Sequence, residues 1–186
     1  MKKNNQESLS VIGHAIVSAN FCIADSLGNM PDGLKSEVDW EMFQSDLDKS
    51  DLVILGRKSF EKYQSSKRFR LVATASLSGL LKQEDIIFFN PNDISIKQIL
   101  NTLDIFPKKI AIAGGRLVYE LVFKDLFYTE FHLSIKTNFI MPNGVPVLNR
   151  VENMTQFIQR MRENNMVQSQ ELVLDNDTIQ LRFVRV

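Results

Sequence analysis

The sequence is short of the residues that build covalent and metal scaffolds: one cysteine, one tryptophan and two histidines among 186 residues. A single cysteine, Cys22, excludes an intramolecular disulfide and any cysteine-cluster metal site, and it fits a reducing compartment. No apolar run approaches membrane-spanning length. The opening segment MKKNNQESLS has charge but no apolar stretch behind it, so it does not read as a signal peptide and the expected location is cytoplasmic. Neither sign of charge is in excess, with Lys+Arg and Asp+Glu at 22 each, which argues against a nucleic-acid partner. There is no repeat, low-complexity tract or linker. The expectation is a disordered tail over residues 1–8 and one domain over residues 9–186.

What is present is an ordinary globular composition, 44% hydrophobic and 24% charged. Its most informative stretch is Ile110-Ala111-Ile112-Ala113-Gly114-Gly115-Arg116-Leu117-Val118-Tyr119-Glu120. Four small or β-branched residues read as a strand buried on both faces. Gly114-Gly115 permit a tight turn, left-handed or cis, and a close approach of bare backbone to a ligand. Leu117, Val118, Leu121 and Val122 then share a helix face. A strand, two glycines and a helix place free N–H groups where a phosphate can sit, although a glycine turn of no special purpose has the same sequence.

Along the chain, Val11–Ala19 reads as a strand, and the long segment Asn20–Leu34 is rich in turn residues, as functional loops are. Ser36 is a candidate N-cap for a helix to about Lys49. Leu52–Leu55, Arg70–Ala75 and Ile86–Phe89 read as strands, Arg57–Glu61 as a short helix and Ile94–Leu103 as a helix. This alternation predicts an α/β fold with a mostly parallel central sheet and helices on both faces. The last third changes character. Phe127–Lys136 alternates partly and reads as a strand, Pro142–Pro146 as a turn or bulge, and Met154–Met161 as a helix. Glu171–Leu174 and Ile179–Val186 flank Asn176-Asp177 as an antiparallel C-terminal hairpin.

Three predicted strand ends share a chemistry. Gly56-Arg57-Lys58-Ser59 follows one, Thr74-Ala75-Ser76 another and Gly114-Gly115-Arg116 a third. In a parallel sheet these ends lie on one edge, where ligands bind. Cations, hydroxyls and exposed backbone together suit a ligand with a pyrophosphate and a further phosphate; Arg57 and Lys58 read equally as a solvated helix face.

This combination resembles the dihydrofolate reductase superfamily, including the reductase domain of the riboflavin-pathway deaminase-reductases, over about residues 10–186. Leu52–Glu61 looks like the family's strand-Gly-Arg-x-Thr-Trp/Phe segment, Arg70–Ser76 like the next strand, and Ile110–Glu120 like its apolar-Gly-Gly-x-x-Val-Tyr-Glu segment. The resemblance implies the dihydrofolate reductase-like three-layer fold and NADPH as cofactor. The implied cofactor contacts are Ala15, Ile23, Ala24, Gly56, Arg57, Lys58, Ser59, Thr74, Ala75, Ser76, Ala113, Gly114, Gly115, Arg116, Leu117, Val118 and Tyr119. Ile23-Ala24 stand where the family has an Ile-Gly pair beside the nicotinamide, and Met30-Pro31 match the end of its mobile loop. Asp39 precedes Phe43 by four residues, as the family's helix carboxylate precedes the Phe that packs on substrate, and Leu133-Ser134 matches a Leu-Thr pair whose hydroxyl bonds that carboxylate. By resemblance Asp39 and Ser134 are the catalytic pair, and Asn20, Met30, Phe43 and Arg68 meet the substrate, with Arg68, or Arg70 as an alternative, the candidate for the arginine that binds a folate glutamate; Lys67-Arg68-Phe69-Arg70 reads equally as a solvated basic turn. Read without the resemblance, Asp39 is a first-turn acid that favours the helix dipole, and Tyr119 packs its helix.

The implied reaction is hydride transfer to a pteridine- or pyrimidine-type substrate. A Gly-Asp-Thr-x-Phe-Pro motif of the dihydrofolate reductases is replaced here by Asn143-Gly144-Val145-Pro146-Val147-Leu148, which looks more like the riboflavin-type Gly-Gly-x-Pro-Leu/Val-Phe segment. That favours the phosphoribosylamino-uracil reductase of riboflavin biosynthesis, here as a stand-alone reductase. Dihydrofolate reductase proper and a non-catalytic NADP-binding relative are the alternatives. The second follows from Ser18-Ala19-Asn20-Phe21, which stands where riboflavin-type reductases carry Ser-Leu-Asp-Gly. The relatives also imply a homodimer through the C-terminal strands, and Ile179, Leu181, Phe183, Val184 and Val186 make the final strand apolar. His14 and His132 read as structural or interface residues, with no third ligand spaced for a metal, and Cys22 as a small buried residue.

Overall fold

The computed structural model describes residues 9–63, 68–104 and 106–186; the N-terminal tail and Lys67 of the basic turn lie outside them. The elements follow in the order β1 (Ser10–Ser18), β2 (Cys22–Ala24), a 3-10 turn (Asp32–Leu34), α1 (Glu37–Asp48), β3 (Leu52–Gly56), α2 (Arg57–Lys62), β4 (Arg70–Ala73), β5 (Leu80–Gln83), β6 (Ile86–Phe89), α3 (Ile96–Leu100), β7 (Lys109–Ile112), α4 (Arg116–Asp125), β8 (Glu130–Lys136), β9 (Val145–Pro146), α5 (Met154–Glu163), β10 (Met166–Val173) and β11 (Thr178–Arg185). Nine strands form one sheet in the order β10-β11-β8-β1-β7-β3-β4-β6-β5. The run from β8 to β6 is parallel throughout. The C-terminal hairpin β10-β11 adds antiparallel at one end and β5 adds antiparallel at the other.

The sheet is covered on both faces, as the α/β alternation requires. Val11, Val17, Leu52, Ile54, Ile110, Ile112, Phe131 and Leu133 point to one side and meet Ile96 and Ile99 of α3, Val118 and Val122 of α4, and Phe157 and Met161 of α5. Val53, Leu55, Val72 and Ala111 point to the other side and meet Phe43 and Leu47 of α1 and Phe60 of α2. This second apolar patch is small. Its continuation across β1, β8 and β11 is polar and buried: His14, Ser18, His132, Ser134, Lys136, Thr178 and Gln180. Alternation on β8 separates the two faces, with Phe131, Leu133 and Ile135 in the main core and His132, Ser134 and Lys136 opposite. A strand that spends every second residue on buried polar groups is built to present them, because an unpartnered buried polar group is costly.

Several expected elements differ in extent. The helix expected over Ile94–Leu103 is only Ile96–Leu100, started by a Ser95/Gln98 capping box. The first hairpin strand begins at Met166 rather than Glu171. The strand expected over Arg70–Ala75 stops at Ala73. Strand β5 is exposed along its length, and its Leu-Leu-Lys-Gln sequence shows no alternation to betray it. The Pro142–Pro146 turn contains β9, which pairs with β2 from the long loop, Cys22 opposite Pro146 and Ala24 opposite Val145. The final strand is not an edge: β11 lies between β10 and β8, so the exposed edge on that side is β10.

Candidate active site

A cleft of about 1520 Å³ opens on the α1 face, along the carboxyl ends of the parallel strands. Its position is the one at which parallel α/β sheets bind ligands. At one end stand Gly56, Arg57, Lys58 and Ser59 after β3, Thr74 and Ala75 after β4, and Ala113 to Tyr119 after β7. At the other stand Ala15, Ile23, Ala24, Met30, Asp39 and Phe43. The three strand ends singled out in the sequence therefore share one surface.

The β7–α4 turn is held open by glycine. Gly114 has φ +104° and Gly115 φ +45°, and no described peptide bond is cis, so the turn is left-handed. A Cβ on Gly114 would sit 2.7 Å from the Tyr119 hydroxyl, whereas one on Gly115 meets nothing within 4 Å. The turn is tied to its neighbour strand by Gly56 N–H donating to the Gly114 carbonyl at 3.1 Å. Tyr119 is fully buried and donates its hydroxyl to the His14 carbonyl, locking α4 onto β1. Burial pushes that hydroxyl well above the usual phenol range, so it stays a proton-bearing donor. Thr74 and Ser76 share a hydroxyl–hydroxyl bond of 2.7 Å, which keeps Ser76 at the strand end though it does not line the cleft. Arg57 is exposed and pairs with Glu61 at 3.2 Å; Lys58 reaches back to the Leu27 carbonyl at 3.2 Å, bridging the strand end to the long loop.

At the far end, Ser36 caps α1 by accepting from Asp39 N–H at 3.3 Å. Its hydroxyl in turn donates to Asp175 at 2.7 Å. That bond holds the Asp175 carboxyl well below the usual carboxylate range. Asp39 points to the sheet and accepts a hydrogen bond from Ser134 of β8. Behind it runs a chain of donors: Gln180 donates to Ser134 at 3.2 Å, and Arg182 donates to Gln180 at 3.0 Å. Burial pushes the Asp39 carboxyl up to about 6, opposed by the Ser134 hydrogen bond and helped by the nearby Asp175 charge. One turn further along α1, Phe43 lies against Trp40, ring centres 5.7 Å apart.

Two expected substrate contacts lie elsewhere. Asn20 is no part of the cleft lining: its side chain accepts from Ser18 at 2.7 Å and from Met141 N–H at 2.9 Å, and donates to the Met141 carbonyl at 3.0 Å. It clasps the start of the loop to the segment before β9. Arg68 also stands off the cleft, bound to Asp48 and, at 3.0 Å, to Gln44 on the flank of α1. Arg70 is buried and stacks on Phe60 at 4.9 Å. Phe21 takes φ +62° and buries its ring beside Phe157, ring centres 5.9 Å apart, which explains why a glycine serves at that place in the resembling sequences. Cys22 is buried, with its thiol pushed up by that burial.

The residues that sequence reading missed belong to the polar face. Gln180 was legible only as part of a strand, and its contact with Ser134 depends on the β11–β8 register. Asp46 is the larger omission. It lies between His14 and His132, so the expectation that no third ligand accompanies the histidines fails. It sits three residues beyond Phe43 on α1, and helical spacing alone puts it on the face that meets the sheet.

No protein-family model matches the chain, and no curated protein matches it. Solved structures do. The RibD protein of Acinetobacter baumannii superposes with a TM-score of 0.71 at 14% identity, over 97% of this chain and 59% of that one, so the chain spans about three-fifths of that relative's length. A pyrimidine reductase-like protein of Corynebacterium diphtheriae gives 0.70 at 15% identity, over 96% and 92% of the two chains. A dihydrofolate reductase of Enterococcus faecalis, complexed with NADP(H), gives 0.63 at 15% identity, over 95% and 96%. With the mixed sheet order and the antiparallel hairpin beyond β8, these superpositions show that the chain has the dihydrofolate reductase-like fold, the fold of the RibD reductases.

Proposed function

We propose that the chain is an NADPH-dependent reductase that transfers hydride to a pyrimidine- or pteridine-type heterocycle, with a phosphoribosylamino-uracil of riboflavin biosynthesis as its leading substrate class. The observation that carries this reading is the Asp39–Ser134 pair, half-buried at Asp39 and buried at Ser134, at one end of a cleft whose other end is made of three strand ends.

The residues fit the cofactor. The cleft is roomy enough for a dinucleotide and a heterocycle together, since a drug-sized ligand needs roughly 300–1,000 Å³. Gly115 leaves open space at the backbone, and Arg57, Lys58, Ser59 and Thr74 supply cations and hydroxyls for phosphate and ribose, with Ser76 held to Thr74 behind them. Ala15, Ile23 and Ala24 supply an apolar wall for a flat ring on the Asp39 side of the cleft. Such a cofactor supplies a hydride with its electron pair; the chain must hold the rings in register and deliver one proton. Asp39 suits the proton. A carboxyl held near 6 is part protonated at working pH, and Asp39 lines the cleft where a ring nitrogen would have to meet it. The donor chain Arg182–Gln180–Ser134 fixes its orientation. Phe43 and Trp40 give the heterocycle an aromatic wall one turn along α1.

The engagement of Arg68 by Asp48 and Gln44 favours the riboflavin-type substrate over dihydrofolate, because the expected anchor for a folate glutamate is turned away from the cleft. Trp40 lines the cleft and is half-exposed, so its fluorescence reports on binding there. Titration with NADPH is expected to quench it saturably at micromolar cofactor, and no change at millimolar NADPH would refute the cofactor assignment. If Asp39→Asn and the unaltered chain both bind NADPH yet neither reduces any pyrimidine or pterin offered, the non-catalytic reading replaces the reductase.

A further inference from the structure

We infer that His14, His132 and Asp46 form a binding site for one divalent transition-metal ion on the sheet floor of the cleft. The inference is independent of the proposed reductase activity. It rests on three ligands from three elements meeting at one place.

The register of the sheet brings the histidines together. β1 and β8 are parallel neighbours with His14 directly opposite His132, and both side chains point to the α1 face. Their rings meet edge to face with centres 5.0 Å apart. Asp46, on the last turns of α1, hangs over them. Its Oδ2 is 3.8 Å from His14 Nε2 and 3.7 Å from His132 Nδ1, and the three ligand atoms lie within 4.8 Å of one another. Those separations are too long for hydrogen bonds. The two Asp46 separations are close to the distance of about 3.4 Å between two ligands that each sit about 2.1 Å from a tetrahedral ion, and the two histidine nitrogens have further to close. Small rotations of two imidazoles and one carboxylate close the difference.

Proton accounting points the same way. His132 Nε2 lies 3.1 Å from Glu130 Oε2, and a carboxylate can only accept, so the ring proton is on Nε2 and Nδ1 presents a lone pair. That carboxylate–imidazole pairing is the usual support of a metal-ligating histidine. Asp46 presents lone pairs as well. His14 is more than nine-tenths buried, and its Nε2 has no hydrogen-bond partner among the described residues. Burial favours its neutral, ligating form. A water has two protons to offer these three atoms, whereas a cation accepts from all of them at once.

The surroundings are consistent with a borderline cation. Lys109 reaches the other oxygen of Asp46 at 3.9 Å, and Arg182 spends its Nε on Gln180. Phe43 closes one side, 5.6 Å from the His14 ring centre. Two imidazoles and one carboxylate suit Zn²⁺, Co²⁺ or Fe²⁺ and not Mg²⁺ or Ca²⁺. Because all three ligands line the cleft, the remaining coordination positions open into it.

The test is titration of chelator-treated full-length protein with Co²⁺, whose visible absorption reports coordination. One equivalent per chain is expected to give a ligand-field band that Zn²⁺ displaces and Mg²⁺ does not. Asp46→Asn and His132→Ala are expected to abolish the band, and Glu130→Gln to weaken binding about tenfold by freeing the ring. A full-strength band in both Asp46→Asn and His132→Ala would overturn the site. Should those variants fail to fold, the unaltered chain still decides: Zn²⁺ must shift the imidazole nitrogen resonances of both histidines, and unchanged resonances at millimolar Zn²⁺ would overturn it.

Discussion

At the scale of single residues, Asp39 carries the most consequence. Its carboxyl is pushed up to about 6 from an ordinary 3.8 by burial, with the Asp175 charge adding to the rise and the Ser134 hydrogen bond opposing it. Between these values the folded chain binds more proton than the unfolded one, so stability falls as pH rises from about 4 through 6. Removing the charge removes that cost. Asp39→Asn is expected to stabilise the fold by roughly 1–2 kcal/mol at pH 8 and to leave it unchanged near pH 4, as read by urea unfolding at the two pH values. On catalysis the substitution acts the other way, while the pH dependence keeps the same sign. With Asp39 as proton donor, kcat/KM is level below pH 6 and falls about tenfold per unit above it, and in Asp39→Asn it drops by about 100-fold or more and loses that dependence. Ser134→Ala removes the bond that lowers the carboxyl and is expected to move the break in the profile upward. Phe21 gives a second prediction. Its φ of +62° penalises any side chain, so Phe21→Gly is expected to be no less stable than Phe21→Ala, the reverse of the usual order, while both lose about 3 kcal/mol of ring burial in thermal melts.

At the scale of elements, the β7–α4 turn is the most tightly specified piece. Gly114 combines a φ of +104° with a Cβ direction that runs into the Tyr119 hydroxyl, which itself holds His14 of β1. Gly114→Ala is therefore expected to cost about 2 kcal/mol or more and to weaken NADPH binding, whereas Gly115→Ala, in open space at φ +45°, should cost about 1 kcal/mol. Parallel calorimetry and fluorescence titration of the two variants check both effects. This turn was legible in the sequence because glycine pairs after an apolar run leave few alternatives. The Asp39–Ser134 pair was legible only through resemblance, since first-turn acids are common and nothing in the spacing joins positions 39 and 134. The strict alternation of β8, with His132, Ser134 and Lys136 against Phe131, Leu133 and Ile135, was readable in principle as a polar inner face. What it did not reveal was which residues of α1 and β11 meet that face, because register and helix rotation are set by packing across the whole layer. Asn20 and Arg68 stand off the cleft lining for the same reason: a polar side chain near a site in sequence is satisfied by whichever partner the folded loop brings.

At the scale of the molecule, the two halves of the sheet divide the work. The half from β7 to β6 is apolar on both faces and carries the strand ends with cations and hydroxyls. The half from β10 to β1 packs its core toward α5 and presents on its other face, beside Ile12 and Ile16, the polar groups that meet Asp39 and the histidine cluster. No helix among the described residues is long and apolar enough to cross a membrane. Pairing of two copies through the C-terminal strands, which the family resemblance implies, would use β10, the edge at that end of the sheet, whose Val167 and Val173 are exposed. Sedimentation velocity is expected to show a dimer that a proline at Gln170 disrupts, and a monomer at high micromolar concentration would remove the proposal.

Hydride transfer itself tests Asp39 and the cleft most directly. Loss of NADPH absorbance should be followed with the phosphoribosylamino-uracil of riboflavin biosynthesis and with dihydrofolate, in the unaltered chain and in Asp39→Asn. The prediction is turnover of the uracil, little or none of dihydrofolate, and loss of turnover in the variant while Trp40 quenching by NADPH persists. Turnover undiminished in Asp39→Asn, or no oxidation of NADPH with either substrate, would contradict it.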